Sequence, residues 1–212
     1  MVKISTSILS IKDDILKKIK LLNNTDTDFI HYDIMDGKFV SNISFSFTEI
    51  EKINKYVTKP LDVHLMVEDP TNYIEYYKTL KPNYITIHYE INNYIKYIEY
   101  IKSLNIKVGL SIKPQTKIED IFNILDRLDL VLIMSVEPGM GGQEFIDTTI
   151  DKINKLNKYI QTNKLKTLIE VDGGINDITS KKCIKAGANI LVSGSYITNS
   201  NDYQKQIDTL RN

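Results

Sequence analysis

The chain has 212 residues, 42% hydrophobic and 25% charged, enough to bury one substantial core. Lys+Arg and Asp+Glu both number 27, so a net charge of zero offers no basic field for nucleic acid or an anionic membrane. The single cysteine, Cys183, excludes an intramolecular disulfide; with no apolar run near the roughly 20 residues of a membrane span and no secretory leader, a reducing, cytoplasmic setting is expected.

Eight short apolar runs rich in β-branched residues read as strands: 2–9, 28–35, 61–67, 84–89, 107–112, 130–136, 167–172 and 189–195. Segments with helical spacing lie between them. Ile11, Ile15, Ile19 and Leu22 share one face of 11–22. Ile95, Ile98 and Ile101 do so in 92–104, and Ile146, Ile150, Ile153 and Ile160 in 145–160. Asp69-Pro70 and Asn176-Asp177 signal helix starts, and Gly187 in "KAGAN" signals a stop. Strand–helix alternation predicts an α/β fold with a parallel sheet. Eight units predict a single-domain (β/α)8 TIM barrel over 1–212, with an open doubly wound sheet as the competitor.

Barrel active sites use the C-terminal ends of strands, and period 2 sorts each strand's faces. His31, Asp33 and Met35 share a face of the second strand. Asp62, His64 and Met66 share one on the third, Glu170 and Asp172 on the seventh, Ser5 and Ser7 on the first. Alone, a strand histidine reads as a satisfied core residue and a strand-end aspartate as a helix cap. Here the same His/Asp/Met alternation occurs twice, and a third strand adds a carboxylate before Gly-Gly. If these faces point into the barrel, His31, Asp33, His64 and Asp172 converge at its mouth. Burying them unpaired costs several kcal/mol each, a conflict that a divalent cation resolves. Two imidazoles with two carboxylates suit Zn²⁺, Fe²⁺, Mn²⁺ or Co²⁺ better than Ca²⁺ or Mg²⁺. Asp62 and Glu170 are then candidates to orient the imidazoles, with ordinary ion pairing as the alternative. The third histidine, His88, reads as a lining or structural residue.

Glycine clusters follow strands six, seven and eight, in "EPGMGGQ" (137–143), "DGG" (172–174) and "SGS" (193–195). Backbone N–H groups there can cradle a phosphate, a recurrent feature late in such barrels, or the glycines simply make tight turns. Met35, Met66, Met134 and Met140 fall at or just beyond strand ends, where thioethers give an adaptable apolar lining.

The blocks "SILS" (7–10), "HYDIMDGKFV" (31–40), "LDVHLMVEDP" (61–70), "LIMSVEPGMGGQEF" (132–145), "IEVDGG" (169–174) and "VSGS" (192–195) resemble, in order, the signatures of the ribulose-phosphate 3-epimerase family. The resemblance implies a (β/α)8 barrel that interconverts D-ribulose 5-phosphate and D-xylulose 5-phosphate in the non-oxidative pentose phosphate pathway. It implies one divalent metal per subunit on His31, Asp33, His64 and Asp172. Asp33 and Asp172 would also be the two acid/base groups at C3, with a metal-stabilised 2,3-enediolate between the two proton transfers. Ser7 and His64 would contact substrate, Met35, Met66 and Met134 would cap it, and Met140 would lie in the 139–142 stretch that cradles it. Gly139, Gly141, Gly142, Gly173, Gly174, Gly194 and Ser195 would cradle substrate and its phosphate. The partner implied is a small sugar phosphate, bound by a cytoplasmic homo-oligomer. The chain departs from the family pattern at Thr6 and Ser41, where proline is usual, and in "SFSFTEI" (44–50), which lacks a glycine. The same motifs would serve a 3-epimerase of another ketose phosphate, such as D-allulose 6-phosphate, or a non-catalytic sugar-phosphate-binding barrel. A Schiff-base lyase is disfavoured, because no inward-facing lysine lies at the end of an apolar strand; Lys113 comes closest and precedes Pro114.

Overall fold

A computed structural model describes residues 1–212. Eight parallel strands form a closed barrel, each paired to its sequence neighbours and β8 to β1. They are β1 (Lys3–Ser7), β2 (Phe29–Met35), β3 (Leu61–Met66), β4 (Tyr84–His88), β5 (Lys107–Ile112), β6 (Leu130–Met134), β7 (Leu168–Asp172) and β8 (Ile190–Ser193). Each lies within the run expected from its β-branched, apolar sequence. The helices are α1 (Ile15–Asn23), α2 (Phe47–Asn54), α3 (Thr71–Tyr77), α4 (Tyr94–Ser103), α5 (Thr149–Thr162), α6 (Thr179–Ala186), α7 (Ser195–Thr198) and α8 (Tyr203–Arg211).

Helix starts differ from periodicity where loop hydrogen bonds intervene. α1 begins at Ile15, after Asp14 takes a left-handed φ of 52°. α5 begins at Thr149, because the Ile146 N–H donates to the Ser135 carbonyl and ties the preceding segment to the barrel rim. The Asn176 side chain accepts from the N–H groups of Ile178 and Thr179, serving the expected start of α6. Gly187, with φ 114°, ends it, and a Cβ there would strike the Asn157 side chain. Between β5 and β6 the connection is a 3-10 helix, Ile118–Arg127, instead of an α-helix. Ile118, Ile121 and Ile124 are buried at a spacing of three, the repeat that keeps one face of a 3-10 helix inward.

Strand alternation divides the interior into two regions. The outward residues of the strands, such as Ile30, Tyr32, Val63, Leu65, Ile85 and Ile87, pack with the helices into the main core. Inside the barrel, Phe29, Tyr84, Leu130, Leu132 and Ile190 form a separate apolar plug. Above this plug the inward positions are polar. Gly109 on β5 leaves the space that Thr86 fills from β4, since a Cβ there would overlap the Thr86 side chain. An apolar floor therefore supports a layer of buried polar groups near the strands' C-terminal ends.

Candidate active site

Strand register brings the polar residues together. β2 and β3 pair with His31 opposite Asp62, Asp33 opposite His64 and Met35 opposite Met66. β6 and β7 pair with Met134 opposite Asp172. Four donor atoms converge above the plug: His31 Nε2, Asp33 Oδ1, His64 Nδ1 and Asp172 Oδ2. Asp33 Oδ1 lies 3.3 Å from His31 Nε2 and 3.5 Å from His64 Nδ1, and Asp172 Oδ2 lies 4.0 Å from His64 Nδ1. A tetrahedral cation with bonds of about 2.1 Å holds its donors about 3.4 Å apart, so these separations suit one ion. His31 Nε2 and His64 Nδ1 are buried and have no hydrogen-bond partner, as expected of lone pairs reserved for a cation. Imidazole and carboxylate together suit a borderline transition metal.

The charges act in the same sense. Burial alone would raise the Asp33 carboxyl, but His31 and His64 outweigh it and hold Asp33 well below the usual carboxylate range. The Ser7 hydroxyl, 2.6 Å from Asp33 Oδ2, also donates to the ionised form. Asp172 goes the other way: burial, then the negative charge of Asp33, pushes it up to about 7. Burial lowers His31, but Asp62 and Asp33 overcome this and hold it well above 6.5. With no metal bound, a proton on His31 supplies the positive charge that the carboxylates demand. Burial lowers His64 and keeps it neutral.

One layer deeper, Asp62 Oδ2 accepts from His31 Nδ1 at 2.7 Å and from the Ser5 hydroxyl at 2.8 Å. This orients the His31 ring and leaves Nε2 facing the upper site. Glu170 is fully buried beside Asp62, and burial followed by the charge of Asp62 raises it well above the usual range, favouring the neutral acid. His31, Asp62 and Glu170 also cluster. The 2.7 Å contact, however, is a hydrogen bond, shorter than the donor spacing around a metal.

Above these groups opens a cleft of about 530 Å³. Ser7, Asp33, Met35, Met66, Met134 and Asp172 line it, as do Gly139, Met140, Gly141, Gly142, Gly173, Gly174, Gly194 and Ser195. His31 and His64 lie under this floor with no exposed surface. His64, expected to touch substrate as well as a metal, therefore does not itself line the cleft. Met35, Met66 and Met134 are buried, whereas Met140 is 63% exposed on the rim loop. Gly173 and Gly174 have φ of 120° and 62°; a Cβ would come within 2.5 Å of Val136 Cγ2 or 2.6 Å of the Phe145 nitrogen. Asp36 and Gly37 form the turn that ends β2: Asp36 Oδ1 accepts from the N–H groups of Lys38 and Phe39, and Gly37 has φ 73°. Next to the departing Ser41, the Asn42 side chain donates to the Gly139 carbonyl at 2.7 Å, joining the loops after β2 and β6 across the mouth.

The model of the ribulose-phosphate 3 epimerase family matches residues 3–198. The chain belongs to this family. It is 38% identical to the ribulose-phosphate 3-epimerase of Bacillus subtilis, covering 100% of this chain and 99% of that one. It is also 38% identical to that of Helicobacter pylori, covering 99% and 97%, and 37% identical to the chloroplastic ribulose-5-phosphate-3-epimerase of Arabidopsis thaliana, covering 98% and 75%. Among solved structures, a 3-hexulose-6-phosphate synthase superposes with a TM-score of 0.72 at 14% identity, covering 99% of this chain and 98% of that one, a likeness of fold alone. The family's epimerase chemistry thus sits on a barrel whose mouth carries a His/Asp cluster able to hold a metal. No helix is long and apolar enough to cross a membrane.

Four residues in this site were not given their places by the sequence reading. His88, expected to be lining or structural, lies with Nε2 2.9 Å from His64 Nε2. Its Nδ1 lies 3.1 Å from Glu90 Oε2. His88 is in phase with the inward-facing Tyr84 and Thr86, so the period-2 argument that selected His31 and His64 applied to it, whereas Glu90 lies beyond the end of β4. Asn176 and Lys182 also line the cleft; each lies beyond a strand end, where periodicity says nothing about direction.

Proposed function

We propose that the chain inverts C3 of a ketopentose phosphate, interconverting D-ribulose 5-phosphate and D-xylulose 5-phosphate by two-base proton transfer. One observation carries this reading. Asp33 and Asp172 reach the cleft floor from β2 and β7 with opposite protonation tendencies, one held ionised and the other pushed up to about 7. Inversion needs a base on one face of C3 and an acid on the other. In one direction Asp33 takes the C3 proton and Asp172 returns one to the opposite face; in the other their roles exchange. The Ser7 hydroxyl stabilises the ionised state of Asp33. Met35, Met66 and Met134 present an apolar surface that keeps water from the reacting carbon.

His31, Asp33, His64 and Asp172 would hold one divalent cation per subunit, Zn²⁺, Fe²⁺, Mn²⁺ or Co²⁺. When bound, it supplies a fixed positive charge where negative charge develops as C3 loses its proton. Gly173, Gly174 and Gly194, with the one-turn helix α7 beginning at Ser195, offer backbone N–H groups for the phosphate dianion. The reading carries with it a cytoplasmic homo-oligomer.

The test is incubation of ribulose 5-phosphate with the enzyme in D₂O, with and without chelator, followed by NMR of C3. Deuterium entering at C3 together with xylulose 5-phosphate, and lost with chelator, is the expected result. Exchange at another carbon, or none, refutes the assignment. Parallel turnover of D-allulose 6-phosphate decides between pentulose and hexulose substrates.

A further inference from the structure

His64 is the one candidate metal ligand whose far nitrogen meets another histidine. Its Nε2 lies 2.9 Å from His88 Nε2, and both rings are fully buried. His88 Nδ1 lies 3.1 Å from Glu90 Oε2. The other oxygen, Glu90 Oε1, accepts from the Lys113 backbone N–H at 2.8 Å and from the Thr116 hydroxyl at 2.5 Å. Phe39 covers the outer side of His88, with ring centroids 4.5 Å apart.

We propose that Glu90 and His88 are positioning residues that fix the tautomer of His64, leaving its Nδ1 lone pair free to bind the metal. This rests on the metal centre assigned above. Two imidazole nitrogens at hydrogen-bond distance share one proton. With the Nδ1 lone pair committed to a cation, that proton belongs to His64 Nε2, which donates to His88 Nε2. His88 then carries its own proton on Nδ1 and donates to Glu90. The opposite arrangement turns a bare His88 Nδ1 toward the Glu90 carboxylate, two acceptors facing each other, and puts a proton on His64 Nδ1 where the cation should be. Glu90, two residues removed from the metal, therefore selects the direction of the whole relay. Lys113 and Thr116, donating to the other oxygen, keep the carboxylate in place.

Glu90→Gln tests this, because it preserves shape and reverses polarity. The amide oxygen takes the place that accepts from Lys113 and Thr116, so the amide NH₂ faces His88 and drives the relay backwards. Co²⁺ is titrated into metal-free wild type and variant and followed by its visible ligand-field absorption. The expected result is Co²⁺ affinity weakened about 10–100-fold in the variant. An unchanged melting temperature of the metal-free variant and a lower kcat at near-constant KM complete the expectation. Wild-type affinity in Glu90→Gln overturns the relay while leaving the metal centre standing. A wild type that takes up no Co²⁺ overturns the metal centre, and the relay with it. A second measurement needs no variant: two-bond ¹H–¹⁵N spectra of metal-free wild type are expected to place the His88 proton on Nδ1, and a proton on Nε2 of His88 overturns the proposal.

Discussion

Asp33 and Asp172 approach the same atom, Nδ1 of His64, at 3.5 Å and 4.0 Å, from strands that are not neighbours in the barrel. The nearer carboxylate is held ionised and the farther pushed up to about 7, so two identical side chains acquire opposite proton affinities. Burial and charge neighbours produce the split: Asp33 has two imidazoles beside it, whereas Asp172 faces the charge of Asp33.

On the proposed two-base mechanism, removing Asp33 or Asp172 leaves inversion without one of its two faces. Asp33→Asn and Asp172→Asn are each expected to lower kcat by at least about 10²–10⁴-fold, the usual worth of general acid–base catalysis. Both should keep the wild-type circular dichroism spectrum. Epimerisation assays on the two variants check this, and substantial activity in either would refute two-base transfer.

Metal removal should be as damaging as loss of a carboxylate. Dialysis against a strong chelator is expected to abolish turnover, and Co²⁺, Zn²⁺, Mn²⁺ or Fe²⁺ to restore it, with metal content followed by elemental analysis. Full activity in metal-free protein would sink the assignment of His31, Asp33, His64 and Asp172.

Asp62 works through His31. Its Oδ2 accepts from His31 Nδ1 and Ser5 Oγ, so Asp62→Asn removes the charge that fixes the ring. Metal affinity should fall about 10–100-fold with a smaller loss of stability. Calorimetric titration of metal into the variant provides the readout.

Asp172 gives the metal-free protein a pH signature. Its carboxyl is raised from 3.8 to about 7 on folding, so between those values the folded chain holds a proton that the unfolded chain has released. The stability tied to that proton is present in full below 3.8 and is lost as pH rises through 7. Metal-free wild type should therefore lose up to about 1.4 kcal/mol per pH unit from this group over that interval. Asp172→Asn should flatten the slope in urea denaturation at pH 5, 6 and 7. An unchanged slope would contradict the raised value.

The glycines of the mouth separate fold from binding. At Gly194 a Cβ would sit 3.4 Å from Ser7 Cβ, within tolerance, whereas at Gly173 it would approach Val136 to 2.5 Å at φ 120°. Gly194→Ala is expected to raise KM for the sugar phosphate with little change in melting temperature. Gly173→Ala should lower stability by about 1–3 kcal/mol. Thermal denaturation and steady-state kinetics on both variants distinguish the two effects.

The sequence by itself determined the eight strands, because each β-branched run suits a strand of fixed period, and the period sorted each strand's side chains onto two faces. His31, Asp33, Met35, His64, Met66 and Asp172 were legible for that reason: alternation states which residues share a face, and a barrel has only one inside. Two things depended on tertiary structure. The strand register placed Asp33 opposite His64 and His31 opposite Asp62, deciding which nitrogen meets a carboxylate and which stays unpartnered for a metal. Contacts between groups on different strands and loops, His64 with His88 and Glu90 with Lys113 and Thr116, decided the proton arrangement. Period is a property of one segment and survives in its sequence. Distance between segments, and the burial and neighbouring charges that push Asp33 and Asp172 in opposite directions, exist only once the barrel has closed.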